Sequence, residues 1–183
     1  GWVVSEEEFF KKALPAVNFL KLRGSIGQLG NDQNASTPSG ITYQYLSTYG
    51  FRSYILGNAE TKTLFEARIP NTQITWEVAT NSNLGLEGQM FNGNVFFEFD
   101  VFSNKRTNIL WTKNASVPQS TGLTLPRQNL GEVLNKGWEF NIGYRNQKDG
   151  FKYNVSVNGG YAQNKILFWD EAPGAPAWQQ TTG

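Results

Sequence analysis

The chain of 183 residues carries 16 basic and 15 acidic side chains, a net charge of +1, and neither histidine nor cysteine. That balance excludes a nucleic-acid binder built on excess positive charge. The missing residue types exclude disulfides, thiolate nucleophiles, histidine bases and His- or Cys-ligated metals.

Charged residues are only 17% of the chain, while aromatics are 14% and glycines number 19. This mix suits a β protein whose outer surface need not be strongly polar. No run of about 18 apolar residues offers a transmembrane helix. The start at Gly1-Trp2 reads as an internal or processed piece.

In chain order, Ser5-Glu6-Glu7-Glu8 before Phe9-Phe10-Lys11-Lys12 predicts a short helix. Ser5 is its expected cap, Glu8 completes a capping box, and Pro15 stops it. From Asn18 the period becomes two. Leu20, Leu22, Gly24 and Ile26 alternate with Lys21, Arg23, Ser25 and Gly27, which predicts a strand over 18–27. The segment 28–75 is rich in Asn, Ser, Thr, Gly and Tyr. Its length predicts a functional loop, and its aromatics predict a folded one with short strands of its own.

Leu84, Leu86 and Met90 define a strand over 82–90, and Phe91-Asn92-Gly93-Asn94 supplies a tight turn. Val95, Phe97, Phe99 and Val101 set the return strand over 95–103. A second polar stretch, 103–133, leads to Trp138, Phe140, Ile142 and Tyr144 in a strand over 135–145. After a turn at 146–150, Phe151, Tyr153, Val155, Val157 and Tyr161 mark the last strand, 151–161.

Strands of about 9–11 residues joined by alternating short and long connections match transmembrane barrels. Trp138 and Tyr161 at one end, with Tyr144, Phe91 and Phe151 at the other, suit two interfacial girdles. Alternation equally fits a soluble β-sandwich, with the apolar residues facing a second sheet. A membrane barrel needs at least about eight strands, so if these five long strands form one, they belong to a larger barrel.

Chemistry-bearing residues have plain structural readings. Glu98 and Asp100 share a strand face at a spacing near that of glycosidase carboxylates, yet solvated carboxylates fit better. Asn31-Asp32-Gln33-Asn34 lacks the glycine and terminal acid of a calcium loop. Gly24-Ser25-Ile26-Gly27 reads as small residues on a strand, and the sequons at Asn34, Asn114 and Asn154 as chance triplets. No catalytic, metal or cofactor site is expected, and the chain is not expected to be an enzyme. Tyr43, Tyr45, Tyr49, Trp111 and Gln119 are the candidate ligand or lid contacts, because aromatic rings stack on sugars and amides hydrogen-bond to them.

Three stretches carry a family resemblance: LKLRGSIGQLGND (20–32), TWEVATNSNLGLEGQMFNGNVFFEFDVFSNKRTNIL (75–110) and NLGEVLNKGWEFNIGYR (129–145). In this order they resemble the SusC/RagA family of TonB-dependent outer-membrane transporters, and the Trp2 to Phe9 start resembles the family's periplasmic turn. The resemblance implies an all-β fold: a portion of a 22-stranded antiparallel transmembrane β-barrel, with long extracellular loops at 28–75 and 103–133 and one short periplasmic helix.

It implies import of oligosaccharides or peptides across the outer membrane. The implied partners are a SusD-like surface lipoprotein, outer-membrane lipid, and TonB acting through an N-terminal region absent from these 183 residues. The plug and the last strands are likewise expected to be absent. On this reading Glu98, Asp100, Glu139, Arg145, Lys152 and Asn154 face the lumen. Two other classes remain open at this point: a soluble secreted β-sandwich that binds carbohydrate, and a passive porin or adhesive barrel.

Overall fold

A computed structural model describes residues 1–32, 43–113, 125–148, 150–171, 174 and 176–183. Gln119 and the sequons at Asn34 and Asn114 lie outside the described residues. The elements are β1 (Trp2–Val3), α1 (Glu8–Ala13), β2 (Val17–Asn31), β3 (Thr48–Leu56), β4 (Ala59–Arg68), β5 (Glu77–Met90), β6 (Val95–Thr112), β7 (Arg127–Lys148) and β8 (Phe151–Phe168). Single 3-10 turns occupy Val4–Glu6 and Ala177–Gln179. Six strands pair in the order β1-β2-β5-β6-β7-β8, and β3 with β4 forms a separate two-stranded sheet.

The strands outrun the expectation at several ends. β2 reaches Asn31, β5 starts at Glu77, β6 continues to Thr112 and β7 begins at Arg127. The polar stretch 103–133 is therefore mostly strand, and the connection shrinks to 113–126. The turn expected at 146–150 is likewise shorter, because β7 runs to Lys148 and β8 starts at Phe151. Where both faces of a strand are wet, as at Asn104-Lys105-Arg106-Thr107, backbone pairing persists without apolar alternation to announce it.

The described chain divides into two compact units. The first comprises Gly1–Leu29, Thr80–Lys105 and Leu134–Lys165; the second comprises Gly30–Ala79, Arg106–Val133 and Ile166–Gly183.

In the first unit, Ser5 is not the helix cap. It lies in the 3-10 turn, 4% exposed, and its hydroxyl has no hydrogen-bond partner. The extended N-cap is Glu7, whose carboxylate accepts a 3.0 Å bond from Trp2 Nε1 rather than from a helix amide. Pairing of β1 with β2, Trp2 opposite Leu22, places the indole there and moves the helix start.

Phe91, Asn92 and Gly93 close β5 to β6 with φ of 54°, 58° and 80°, all left-handed. Asn and Gly tolerate that region, which makes the turn tight. The Asn92 amide donates to Asn18 Oδ1 at 2.6 Å, Phe91 N to Ala16 O at 3.0 Å, and Arg145 Nε to Gly93 O at 2.9 Å.

The sheet of this unit has two chemically distinct faces. Leu84, Phe99, Val101, Ile142, Val155 and Val157 stand exposed on one of them. Arg23, Glu87, Glu98, Asp100 and Glu139 occupy alternate positions, facing the other way. Among the described residues the buried apolar side chains are Val4 and Phe10, both at the N-terminal turn and helix. A sandwich requires a second sheet that buries the apolar face, and among the described residues these side chains are exposed.

Glycines receive aromatic rings from the neighbouring strand on both faces. Phe97 lies over Gly88 and Phe140 over Gly159 on one; Phe96 lies over Gly143 and Phe102 against Gly137 on the other. A side chain at Gly88, Gly143 or Gly159 would meet the ring, and one at Gly137 would meet the Tyr161 carbonyl before Phe102, so these glycines make room for rings and for neighbouring backbone.

In the second unit, β3 and β4 form an antiparallel hairpin with Phe51 opposite Leu64 and Tyr54 opposite Thr61. Gly57, with φ of 64°, makes its turn. Arg52 sits 4.7 Å over the Phe65 ring, and Phe65 also covers Gly50. The Trp76 ring covers Gly30 in the same way. Tyr49, in the 28–75 segment expected to carry short strands of its own, belongs to strand β3.

Candidate functional site

The polar face of the first unit converges on Arg23. Its Nη2 lies 2.7 Å from Glu98 Oε1 and 2.6 Å from Asp100 Oδ2, and its Nε lies 3.1 Å from Glu87 Oε1. Lys21 reaches the same Glu87 oxygen at 3.6 Å. Three strands, β2, β5 and β6, supply these groups because period-two alternation sends them to one side. Two cations meet three carboxylates, so the cluster is net negative. Asp100 is the most buried member at 16% side-chain exposure, against 48% for Glu98.

This cluster borders an open cleft of about 720 Å³, lined also by Asn83, Glu139 and Asn158. Glu98 and Asp100 are held by one guanidinium, which removes them from the role of a free general acid and base. Among the described residues no group of three acids forms a metal site.

Arg145, Lys152 and Asn154 lie elsewhere on the unit. Arg145 braces the 91–94 turn through its Nε and through its backbone N, 2.7 Å from Asn94 O, and its guanidinium stands 5.8 Å from the Phe96 ring centre. With Lys152, Asn154 and turn residues it lines a second cleft of about 480 Å³. The six candidate lumen residues thus divide into an acidic group (Glu98, Asp100, Glu139) and a basic and amide group (Arg145, Lys152, Asn154).

In the second unit, two asparagines tie connections to strands. Asn129 Nδ2 donates to Thr75 O at 2.8 Å and Asn108 O at 2.7 Å, while its Oδ1 accepts from Thr75 N at 3.0 Å. Asn71, 8% exposed, donates to Arg127 O at 2.7 Å, accepts from Gln73 N at 3.0 Å and gives its backbone N to Gln44 O. Tyr43 and Tyr45 meet edge to face at 6.0 Å, with Tyr43 in the left-handed region at φ 66°. Trp111 pairs with Trp169 at 4.2 Å, and Trp169 packs against Gly131.

Arg23, Glu87, Trp169, Asn71 and Asn129 are absent from the sequence-based candidates. Arg23 and Glu87 do stand at polar positions of alternating strands. Which carboxylates meet Arg23 depends on the register between β2, β5 and β6.

Glu171 fixes the end of the second unit. One carboxylate oxygen accepts from Thr181 N at 2.5 Å, Thr182 N at 2.7 Å and Thr182 Oγ1 at 3.2 Å. Desolvation pushes its pKa up, but the hydrogen bonds from Thr182 and Thr181 outweigh that and hold it below the usual carboxylate value. A depressed pKa gives an attachment that is complete above the ordinary carboxylate range and lost as pH falls through the lower folded value. At neutral pH the Thr181 and Thr182 amides are therefore expected to be protected from hydrogen exchange. Glu171→Gln should remove much of that protection at pH 7, and acid should do the same in the unaltered protein. Equal exchange in both proteins at pH 7 would contradict the attachment.

A hydrogen-bonded β-sheet with one bare apolar face and one ion-paired polar face defines the class: the wall of a membrane-type β-barrel. The family described as TonB dependent receptor-like, beta-barrel matches residues 14–182. The chain belongs to the TonB-dependent receptor β-barrel family.

It is 31% identical to TonB-dependent receptor P26 of Formosa agariphila over 91% of this chain and 16% of that protein. It is 28% identical to the TonB-dependent receptor SusC of Bacteroides thetaiotaomicron, again over 91% and 16%. The RagAB peptide importer in its open-open state superposes with a TM-score of 0.72 at 20% identity, over 92% of this chain and 17% of that one. The chain thus spans about a sixth of its relatives' length.

Proposed function

We propose that these residues form part of the barrel wall of an outer-membrane active importer of oligosaccharides or peptides. It is energised through TonB and works with a SusD-like surface lipoprotein. The observation that carries this reading is the bare apolar face of Leu84, Phe99, Val101, Ile142, Val155 and Val157, backed by a polar, ion-paired face on the same strands. Lipid covers the first face and an aqueous lumen the second. Glu98, Asp100, Glu139, Arg145, Lys152 and Asn154 line that lumen. The segments 28–75 and 103–133 face the outside, and Tyr43, Tyr45, Tyr49 and Trp111 contact ligand or the lipoprotein there. The protein transports and does not catalyse a reaction.

Uptake of labelled oligosaccharides and peptides by cells expressing the full-length receptor tests this. Uptake should require both the receptor gene and the energising system. Uptake that persists without TonB would make the protein a passive pore. A full-length protein that is soluble without detergent would return the secreted sandwich to first place.

A further inference from the structure

On three adjacent strands of the first unit, the apolar row runs into a lysine at the end away from the short turns. In β6, Phe99, Val101 and Ser103 lead to Lys105; in β7, Phe140 and Trp138 lead to Lys136. In β8, Val157, Tyr161 and Gln163 lead to Lys165. Gly137 of β7 sets their relative heights, because a side chain there would meet the Phe102 ring of β6 and the Tyr161 carbonyl and Ala162 of β8. Counted outward from that level, Lys136 stands about 3 Å up, and Lys105 and Lys165 about 10 Å up. The two upper lysines lie about 10 Å apart across Leu134, with Lys136 below the gap between Ser103 and Gln163. All three lysines are exposed. No acid stands on these rows between Val95 and Lys105, Leu134 and Lys148, or Phe151 and Lys165. Lys136 and Lys165 have no ion-pair partner among the described residues.

We infer that this triangle of lysines binds the phosphate of an outer-leaflet lipid, whose acyl chains lie along the apolar rows below it. The inference rests on the reading of these strands as outer-membrane wall with the short turns on the periplasmic side. Three like charges this close repel one another, and a bound anion offsets that repulsion. Ammonium groups, the Ser103 hydroxyl and the Gln163 carboxamide all donate hydrogen bonds, which suits the several acceptor oxygens of a phosphate. The lysines share their face with Trp138, Phe140 and Val157, so a ligand with an anionic head and an apolar tail uses both parts of the surface. A free phosphate ion would use only one.

Lipid retention by the full-length receptor tests this. The receptor is purified in detergent and mixed with phosphorylated lipid A, and the lipid that stays bound is counted by native mass spectrometry. The unaltered receptor should retain this lipid, retain its dephosphorylated form far more weakly, and keep it in the presence of inorganic phosphate. Lys136→Gln combined with Lys165→Gln should weaken retention about 25-fold, roughly fivefold for each lysine near a lipid surface. Lys11→Gln with Lys12→Gln removes the same charge at the other end of the strands and should leave retention unchanged. Heat-modified migration in gels reports that each variant has folded as a barrel. A folded Lys136/Lys165 variant that holds the lipid as tightly as the unaltered receptor would overturn the inference and leave the barrel-wall reading standing. Equal retention of the dephosphorylated lipid, or displacement by inorganic phosphate, would do the same. A receptor soluble without detergent would overturn both.

Discussion

Val157→Arg in the full-length receptor is expected to destabilise the barrel by about 2–4 kcal/mol, the cost of a cation on the lipid-facing side near mid-membrane. Ser156→Arg, one residue away on the polar face, should cost less than about 1 kcal/mol. Val157 stands 62% exposed, within a row of apolar residues that includes Tyr153, Val155 and Tyr161. In the proposed barrel wall, lipid rather than water meets this row. Reversible urea unfolding from lipid vesicles measures both variants. Two small and equal losses would mean that lipid does not cover this face.

The second large effect belongs to Arg23. Removing it leaves Glu87, Glu98 and Asp100 facing one another with only Lys21 to offset them. Breaking a buried ion pair costs about 3–5 kcal/mol, but Arg23 is 36% exposed, so water screens part of the repulsion. Arg23→Gln should therefore lose about 1–3 kcal/mol. Adding Asp100→Asn should recover part of that loss, because Asp100 is the least exposed of the three carboxylates. A double-mutant cycle in thermal unfolding reads the coupling. Additive losses would show that Arg23 and Asp100 do not interact in the folded receptor.

What the sequence made legible follows from where two unlike solvents meet the strands. Around Trp138, Phe140, Ile142 and Tyr144, one face is apolar and one polar, so alternation marks the strand within a few residues. Past that band, at Asn104 to Thr107 both faces are polar, and at Gln128 to Glu132 Leu130 stands alone among polar or small residues. There the strands lengthen without a pattern.

The Phe91–Asn94 turn was readable because left-handed residues leave Asn and Gly in the sequence. The helix start was not. Ser5 has cap chemistry, but the pairing of Trp2 with Leu22, a contact twenty residues distant, decides where the helix begins. Distance also explains the candidate site. Glu98, Asp100 and Glu139 were identifiable as polar-face residues. That Arg23 gathers two of them, or that Trp169 joins Trp111, rests on strand register, which no local window contains.

The pairing of glycines with aromatic rings gives the wall a form of memory. Gly88 with Phe97, Gly143 with Phe96 and Gly159 with Phe140 each join a missing side chain to an oversized one across a strand boundary. A lineage that enlarges one partner must shrink the other, so drift at these sites is expected to proceed two positions at a time. Such linked changes would let related sequences report which residues sit opposite one another, the register that one sequence alone conceals.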